Sequence, residues 1–417
     1  MKMKSYIATA INHPAVWSLG DQAAMSGGNF ILSLLLAREL GLEQFGLFTL
    51  WYMVPLVVLS ISQAIIVQPF QAFWPGKNPA QQEEYSSALW NMQLLFVALV
   101  LVLSFIGGLV MQSFMPVLAI LLAGGQSTYD LLRKLSYATG RDRLPVKLSA
   151  PLYFTIVLAL ILGVVSSVQA AFLLLAVLFL LAVIVSAYQL GLTLRLVPKE
   201  KLVEHIKKHY HFSYWLLGAA VVQWFSGNAF LLAAAALLGN STLGALRLAQ
   251  QVVGVTHVVF LAMENRVPIA AAQHFQKGAI AGLFRYLIRI VSTYGVLILI
   301  LFIGLLWSEP LLALAYSADV VEQVMRYVPV YTGFYVLVFL ATILRIALRS
   351  AQLTASIFWS YCLAALLSAC LAYPLVEHYG WVGVLLGLVL TQLLPIGIYI
   401  QRLYAAHQLL QTSKSLS

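Results

Sequence analysis

The sequence predicts an all-α polytopic membrane protein of about twelve spanning helices in two six-helix lobes, with both termini cytoplasmic. Three observations carry this reading: the composition, the spacing of long apolar runs, and the distribution of basic residues over alternate connections. Of 417 residues, 62% are hydrophobic and only 9% are charged, against roughly 25% charged in an ordinary soluble domain. No water-soluble surface can be built from that mixture. A helix needs about 20 apolar residues to cross a hydrocarbon layer roughly 30 Å thick, so the length leaves room for about ten to fourteen crossings.

Long apolar runs bounded by charges or turn residues place six spans at 15–38, 45–70, 86–112, 114–137, 148–167 and 169–192. Six more follow at 214–238, 243–263, 284–307, 324–348, 353–376 and 380–403. The basic start, Met1 to Lys4, leads into an apolar segment with no small-residue cleavage site and is read as the approach to an uncleaved first span. With these boundaries, 21 of the 24 Lys and Arg residues fall on the side of the N-terminus, among them Lys77, Arg141, Lys199 and Lys207. The other side holds Arg38, Arg247 and Arg326. The positive-inside rule then puts both termini in the cytoplasm, and one missed span would have scrambled the pattern. The net charge of +10 is thereby explained as topology, with no nucleic-acid partner required. Cys362 and Cys370 lie eight residues apart in one apolar run, too far apart along a helix to pair, and no metal-ligand spacing occurs.

The halves repeat one another. Gly28-Asn29, Gly41 and Gly46 recur as Gly227-Asn228, Gly239 and Gly244 at offsets of 199 and then 198. Both copies place Gly-x-x-x-x-Gly at a helix turn, where glycine permits a tight reversal. Repeats separated by an even number of spans share an orientation, so two parallel lobes are expected: 1–194, and 213–417, joined by a cytoplasmic linker at 195–212. In the linker, Leu202, Val203 and Ile206 form one side among Lys201, Glu204, His205, Lys207, Lys208 and His209. That pattern suits a surface-lying helix or a solvated charged loop.

The first hairpin, Trp17-Ser18-Leu19-Gly20-Asp21-Gln22 through Ser26-Gly27-Gly28-Asn29-Phe30 to Ala37-Arg38-Glu39-Leu40-Gly41 and Phe45-Gly46, resembles the opening of the polysaccharide transporter family. These are the Wzx-type O-antigen and exopolysaccharide repeat-unit flippases of the MOP exporter superfamily, which also contains the MATE-like exporters. The motif covers about 35 residues; span count, cytoplasmic termini and the six-plus-six repeat extend the similarity along the chain. The resemblance implies a MATE-like pair of six-helix bundles around a cavity that opens alternately to either side of a bacterial inner membrane. Its cargo would be an undecaprenyl-pyrophosphate-linked oligosaccharide, and membrane lipids and other polysaccharide-assembly proteins would be its partners. Related lipid II flippases carry two further spans, which makes lipid II a poorer fit. No cofactor is expected.

An ionisable group at membrane depth is a functional candidate, because its insertion costs about 2.5 to 3.5 kcal/mol at a helix centre. Asp21, in the first span, is a candidate proton or sodium coupling site, a partner for an arginine of its own lobe, or simply hydrated at the cytoplasmic boundary. Gln22 and Asn29 are expected on the same side of that span. Asn29 and Asn228, matched by the repeat, either touch substrate or hydrogen-bond between helices. Arg345 and Arg349, with Thr342, share a helix side near the cytoplasmic end of the tenth span, and Arg285 and Arg289 repeat the arrangement at the start of the ninth. A guanidinium fork matches phosphate oxygens, although snorkelling to head groups explains the same arginines. Arg133, with Asp130 and Lys134, is a further candidate, as are Glu264 with Arg266. Arg247, near the outer start of the eighth span, could meet the head group on exit. A cation-coupled small-molecule exporter is the alternative, and a polymerase or ligase of the same pathway is disfavoured: the outer connection near 308–323 is short and acidic, and no hydrolase, metalloprotease or nucleotide-binding motif is present.

Overall fold

The computed structural model describes residues 14–74, 77–192, 197–351, 353 and 355–415; Lys2, Lys4 and Arg195 lie outside them. The first-unit elements are α1 (Pro14–Ser62), a π turn (Gln63–Val67), α2 (Gln68–Phe73), α3 (Pro79–Met111), α4 (Met115–Ala138), α5 (Arg143–Ile161) and α6 (Val168–Leu190). Then follow α7 (Lys199–Gly254), α8 (His257–Leu306), the short α9 (Glu309–Ala313), α10 (Ala318–Ser350) and α11 (Ala355–Ser415). No strand occurs among the described residues.

Three continuous apolar stretches, Val16–Phe73, Lys199–Gly254 and Ala355–Gln408, are 58, 56 and 54 residues long. At 1.5 Å per residue each would run about 80 Å, far beyond one crossing. Each is broken by a glycine in the left-handed half of backbone space: Gly41 (φ 72°, ψ 166°), Gly239 (φ 85°, ψ 169°) and Gly380 (φ 55°, ψ −136°). The first two are the residues matched by the sequence repeat, and they adopt nearly the same conformation, one open essentially to glycine alone. A further reversal divides α8, where the ring of His274 stacks on Tyr286 at 4.6 Å although twelve residues separate them. Divided at these points, and with the helices on either side of the turn at 255–256 taken together as the predicted eighth span, the long helices among the described residues match the twelve predicted spans. The fifth sits earlier than predicted, 143–161 against 148–167, because Arg143 is held over the Trp17 ring at 5.1 Å and Pro145 and Lys147 are accommodated in the first turns.

The chain forms two compact units, up to Val221 and from Val222. In the first, α1 packs on α5 and α4, and α4 on α6. Close approach is made possible by small residues: Gly28 lies under the Tyr153 ring, where any Cβ would overlap it. In the second, α10 packs on α11 and α8, and Gly387 is covered by Phe230 in the same way.

The first arm of α7 completes the first unit. Its inner face is Leu202, His205, Ile206, His209 and Ser213, while Val203 faces outward, a rotation from the face expected in the sequence. The cause is His209, which is 2% exposed. Its Nδ1 lies 3.1 Å from the Ile65 carbonyl on the π turn and its Nε2 lies 2.7 Å from the Tyr85 hydroxyl. A carbonyl only accepts, so Nδ1 carries the proton and Nε2 accepts from Tyr85. Lys201 pairs with Glu84 at 2.9 Å at the exposed end of the same contact. Burial pushes His209 down from 6.5 to about 4, and His205 is also lowered by burial.

Two outcomes are expected. Gly41→Ala and Gly239→Ala should each lower stability by about 1 to 3 kcal/mol, read as a fall in Tm of the detergent-solubilised protein, whereas Gly27→Ala, whose Cβ would meet nothing within 4 Å, should not. For His209, docked and released rings are both neutral above pH 6.5, so docking is at full strength there. As pH falls from 6.5 towards 4, only the released ring takes up a proton and docking weakens, by up to about 1 kcal/mol per pH unit. Wild-type Tm should therefore drop over this interval more steeply than that of His209→Gln.

Candidate functional site

Among the described residues, each unit has a polar centre built around an arginine, fully or partly buried. In the first unit, α4 presents Asp130, Arg133, Lys134 and Tyr137 at three- and four-residue spacings, which place them on one side of the helix. Asp21, on the first arm of α1, faces them and is fully buried. Its Oδ2 accepts from Arg133 Nε at 3.0 Å, from Arg133 Nη2 at 2.5 Å and from the Tyr137 hydroxyl at 2.8 Å. Arg133 also reaches Asp130 at 3.3 Å, and Lys134 pairs with Asp130 at 2.8 Å. Two carboxylates thus neutralise two cations, as burial requires. Arg133 is therefore an ion-pair partner rather than a free phosphate fork, and the hydrated boundary position considered for Asp21 does not apply. Gln22, by contrast, is exposed and bonds Ser26; adjacent helical residues point about 100° apart, so it cannot share the face of Asp21.

The π turn serves this centre. An extra residue in the turn re-aims the side chains, and Gln63 donates to Asp130 at 3.3 Å; such turns are frequent at functional positions. Beside it, Gln93 accepts from Ser62 at 3.0 Å and donates to Ser127 and Thr128 at 3.1 and 3.2 Å. Asp21 Oδ1 is left without a hydrogen-bond partner, which makes it a carboxylate acceptor open to a proton or small cation.

The second unit is built differently. Arg247 donates through Nη2 to Asn228 Oδ1 and through Nη1 to Gln250 Oε1, both at 2.9 Å. Both acceptors are neutral amides, and no carboxylate among the described residues pairs with this guanidinium. Arg247 Nε, the Tyr331 hydroxyl and Trp224 Nε1 are buried donors or donor-acceptors without partners. Trp224 belongs to the same helix turn as Asn228, whose Nδ2 donates to the Trp224 carbonyl at 2.9 Å; Tyr331 and Tyr335 lie within electrostatic range of Arg247. Arg247 stands eight residues beyond Gly239, about 12 Å along the helix from the outer turn, and Asn228 stands eleven before it, about 16 Å. The arginine is thus deeper than the exit-side position inferred from sequence. The repeat breaks here: at the same offsets the first copy of the sequence repeat has Thr49 opposite Arg247, and the second copy has Ala220 opposite Asp21.

The remaining candidates disperse. Arg345 is half-buried and held by the Tyr361 hydroxyl at 2.6 Å and Thr342 Oγ1 at 2.8 Å. Arg349, Arg285 and Arg289 are exposed, and Asn29 accepts a bond from Ser33 through its backbone carbonyl. The side chains of Glu264 and Arg266 lie outside the described set. Tyr137 and Tyr361 were not singled out in the sequence, because a tyrosine in an apolar run carries no signal until its neighbours are known.

Asp21→Asn is expected to destabilise the protein by about 3 kcal/mol by leaving Arg133 buried without its counter-charge. The Asp21→Asn/Arg133→Gln double variant should recover part of that loss. A double-mutant cycle on Tm measures the coupling, and additivity of the two changes would exclude a direct pair.

The MatE family model matches residues 216–374. No curated protein sequence matches the chain. Among solved structures, the inward-facing conformation of a multidrug resistance MATE family transporter of the MOP superfamily is 11% identical, with a TM-score of 0.68 over 95% of this chain and 96% of that one. The lipid II flippase MurJ, in an inward closed conformation, is 12% identical with a TM-score of 0.63, over 94% of this chain and 87% of the flippase. A MOP superfamily transporter from Pyrococcus furiosus, described as having a binding pocket of reverse polarity, is 11% identical with a TM-score of 0.55 over 94% of each chain. The chain is a multi-span membrane protein that shares its fold with these solved transporters over nearly all of its length, and the MatE family model matches part of its second half.

Proposed function

We propose that the chain is a flippase that moves undecaprenyl-pyrophosphate-linked oligosaccharide repeat units from the cytoplasmic to the outer leaflet of a bacterial inner membrane, by alternating access. The observation that carries this reading is Arg247: a guanidinium at membrane depth, held among the described residues by amides and by no carboxylate, beside buried donors that lack acceptors. A buried cation without a carboxylate is costly unless a bound anion completes it, and a diphosphate offers both charge and oxygens that match a guanidinium fork. Arg345, Arg349, Arg285 and Arg289, all on the predicted cytoplasmic side, would meet the diphosphate on entry. Asp21 is the proposed coupling residue, with a proton or sodium ion engaging Oδ1 while Arg133 is displaced. The fold shared with both the lipid II flippase and the multidrug transporters supports transport in preference to catalysis.

The MatE match over 216–374 favours the second reading, a cation-coupled small-molecule exporter. A cationic drug would be repelled by Arg247, which places the lipid-linked anion first.

Deleting the gene should cause complete lipid-linked units to accumulate facing the cytoplasm, scored by glycan accessibility on inside-out and right-side-out vesicles. Arg247→Ala should reproduce the deletion while inserting normally, and Arg247→Lys should restore part of the export, because charge survives but the fork does not. Normal outward exposure in the deletion strain would move small-molecule export to first place. Full export by Arg247→Ala would remove the anion site.

A further inference from the structure

We propose that the groove between α3 and the first arm of α7 binds one anionic glycerophospholipid, with its phosphate at the lysine-rich end and one acyl chain along the groove. The groove encloses about 350 Å³ and lies wholly within the first unit. This site is separate from the cargo site proposed above and does not depend on what the cargo is.

Three tiers of chemistry follow one another along it. At the outer tier, Lys208 Nζ lies 4.7 Å over the Phe73 ring and Lys77 Nζ lies 4.7 Å over the Tyr85 ring. Both rings touch His209, which closes this end of the groove. Neither lysine forms an ion pair with a carboxylate among the described residues; Glu84, within electrostatic range of Lys77, is held by Lys201 instead. The middle tier is Ser213, one helical turn beyond His209, about 6 Å along the axis. Its side chain lines the groove, is 1% exposed, and its Oγ has no hydrogen-bond partner. The inner tier is apolar throughout, formed by Met92, Leu95, Phe96, Leu99 and Leu217. Leu95 and Leu99 are 55% and 57% exposed, which in a bilayer means that the groove opens sideways to acyl chains.

The α3 helix and the α7 arm start on the same lysine-rich side and run in the same direction, so this order is an order of depth. A glycerophospholipid has the same sequence of groups: an anionic phosphate, then ester carbonyls that only accept hydrogen bonds, then a hydrocarbon chain. Cations at the surface attract anionic lipid, a buried hydroxyl without an acceptor is destabilising until one is supplied, and the apolar walls exclude anything but a chain. A prenyl phosphate has the charge and the chain but no ester to accept from Ser213. Inorganic phosphate has neither ester nor chain.

The test is native mass spectrometry of the full-length protein, delipidated in neutral detergent and titrated with phosphatidylglycerol, with phosphatidylethanolamine of the same chains, or with undecaprenyl phosphate. The wild type should retain phosphatidylglycerol in clear preference to the other two. Lys77→Glu and Lys208→Glu should each lower that retention about five-fold, and Ser213→Val should lower it without lowering the Tm of the lipid-free protein. Equal retention of phosphatidylglycerol and phosphatidylethanolamine, or variants that bind like the wild type, would overturn the proposal; preferential retention of undecaprenyl phosphate would overturn it in favour of the carrier lipid. Because a charge-reversed variant could misfold, wild-type protein is also cross-linked with phosphatidylglycerol bearing a photoreactive acyl chain. Adducts within 92–99 or 206–217 are expected, and adducts confined to other segments would sink the assignment.

Discussion

A charge inside a hydrocarbon layer must meet an opposite charge or a strong set of dipoles, and the polar architecture of this protein follows from how each unit satisfies that demand. The first unit does so internally: Asp21 and Asp130 answer Arg133 and Lys134 across α1 and α4, with Tyr137 and Gln63 adding neutral donors. The second unit leaves the demand partly open. Arg247 has amides for partners and buried donors for neighbours. One half balances its charges internally and the other holds the guanidinium on which the proposed anion site rests, although both have a hairpin with the same glycine break.

That contrast separates what the two levels of symmetry do. Gly41 and Gly239 share a backbone conformation, so the path of the chain is duplicated. The ionisable residues are not: Asp21 has an alanine as its counterpart and Arg247 a threonine. Duplicating the scaffold preserves packing, whereas divergence of a few polar positions assigns each half its own chemistry, consistent with the general separation of fold from function.

The architecture was largely legible in the sequence, because long apolar runs, positional glycines and the sidedness of lysine and arginine are local signals. The Asp21 to Arg133 pair was not, since 112 residues separate its members and no periodicity links them. The sequence did raise an arginine partner for Asp21 without identifying which one. The π turn was also invisible, because Gln63–Val67 has the composition of any apolar helix and its hydrogen-bond shift comes from what it contacts. The linker arm was misread by one residue on the helical wheel: hydrophobicity favoured Val203 for its inner face, yet a histidine with both ring nitrogens satisfied proved the better buried residue. Arginines on the cytoplasmic side looked equivalent in sequence, and only the hydroxyls of Tyr361 and Thr342 distinguish Arg345 from its exposed neighbours.

The π turn joins two parts of the molecule that otherwise have nothing in common. Its first residue reaches into the ionic centre through Gln63, and its third offers the Ile65 carbonyl to His209 on the linker arm. A helix carrying one surplus residue is phase-shifted by about 100° beyond that point, so the two contacts exist only while the surplus is stored in these five residues. Were it expelled along the helix, Gln63 and Ile65 would rotate out of register together. The turn therefore ties the ionic centre to the linker arm: the contacts at Asp130 and at His209 leave from residues two apart in one five-residue segment, and both depend on the register it holds.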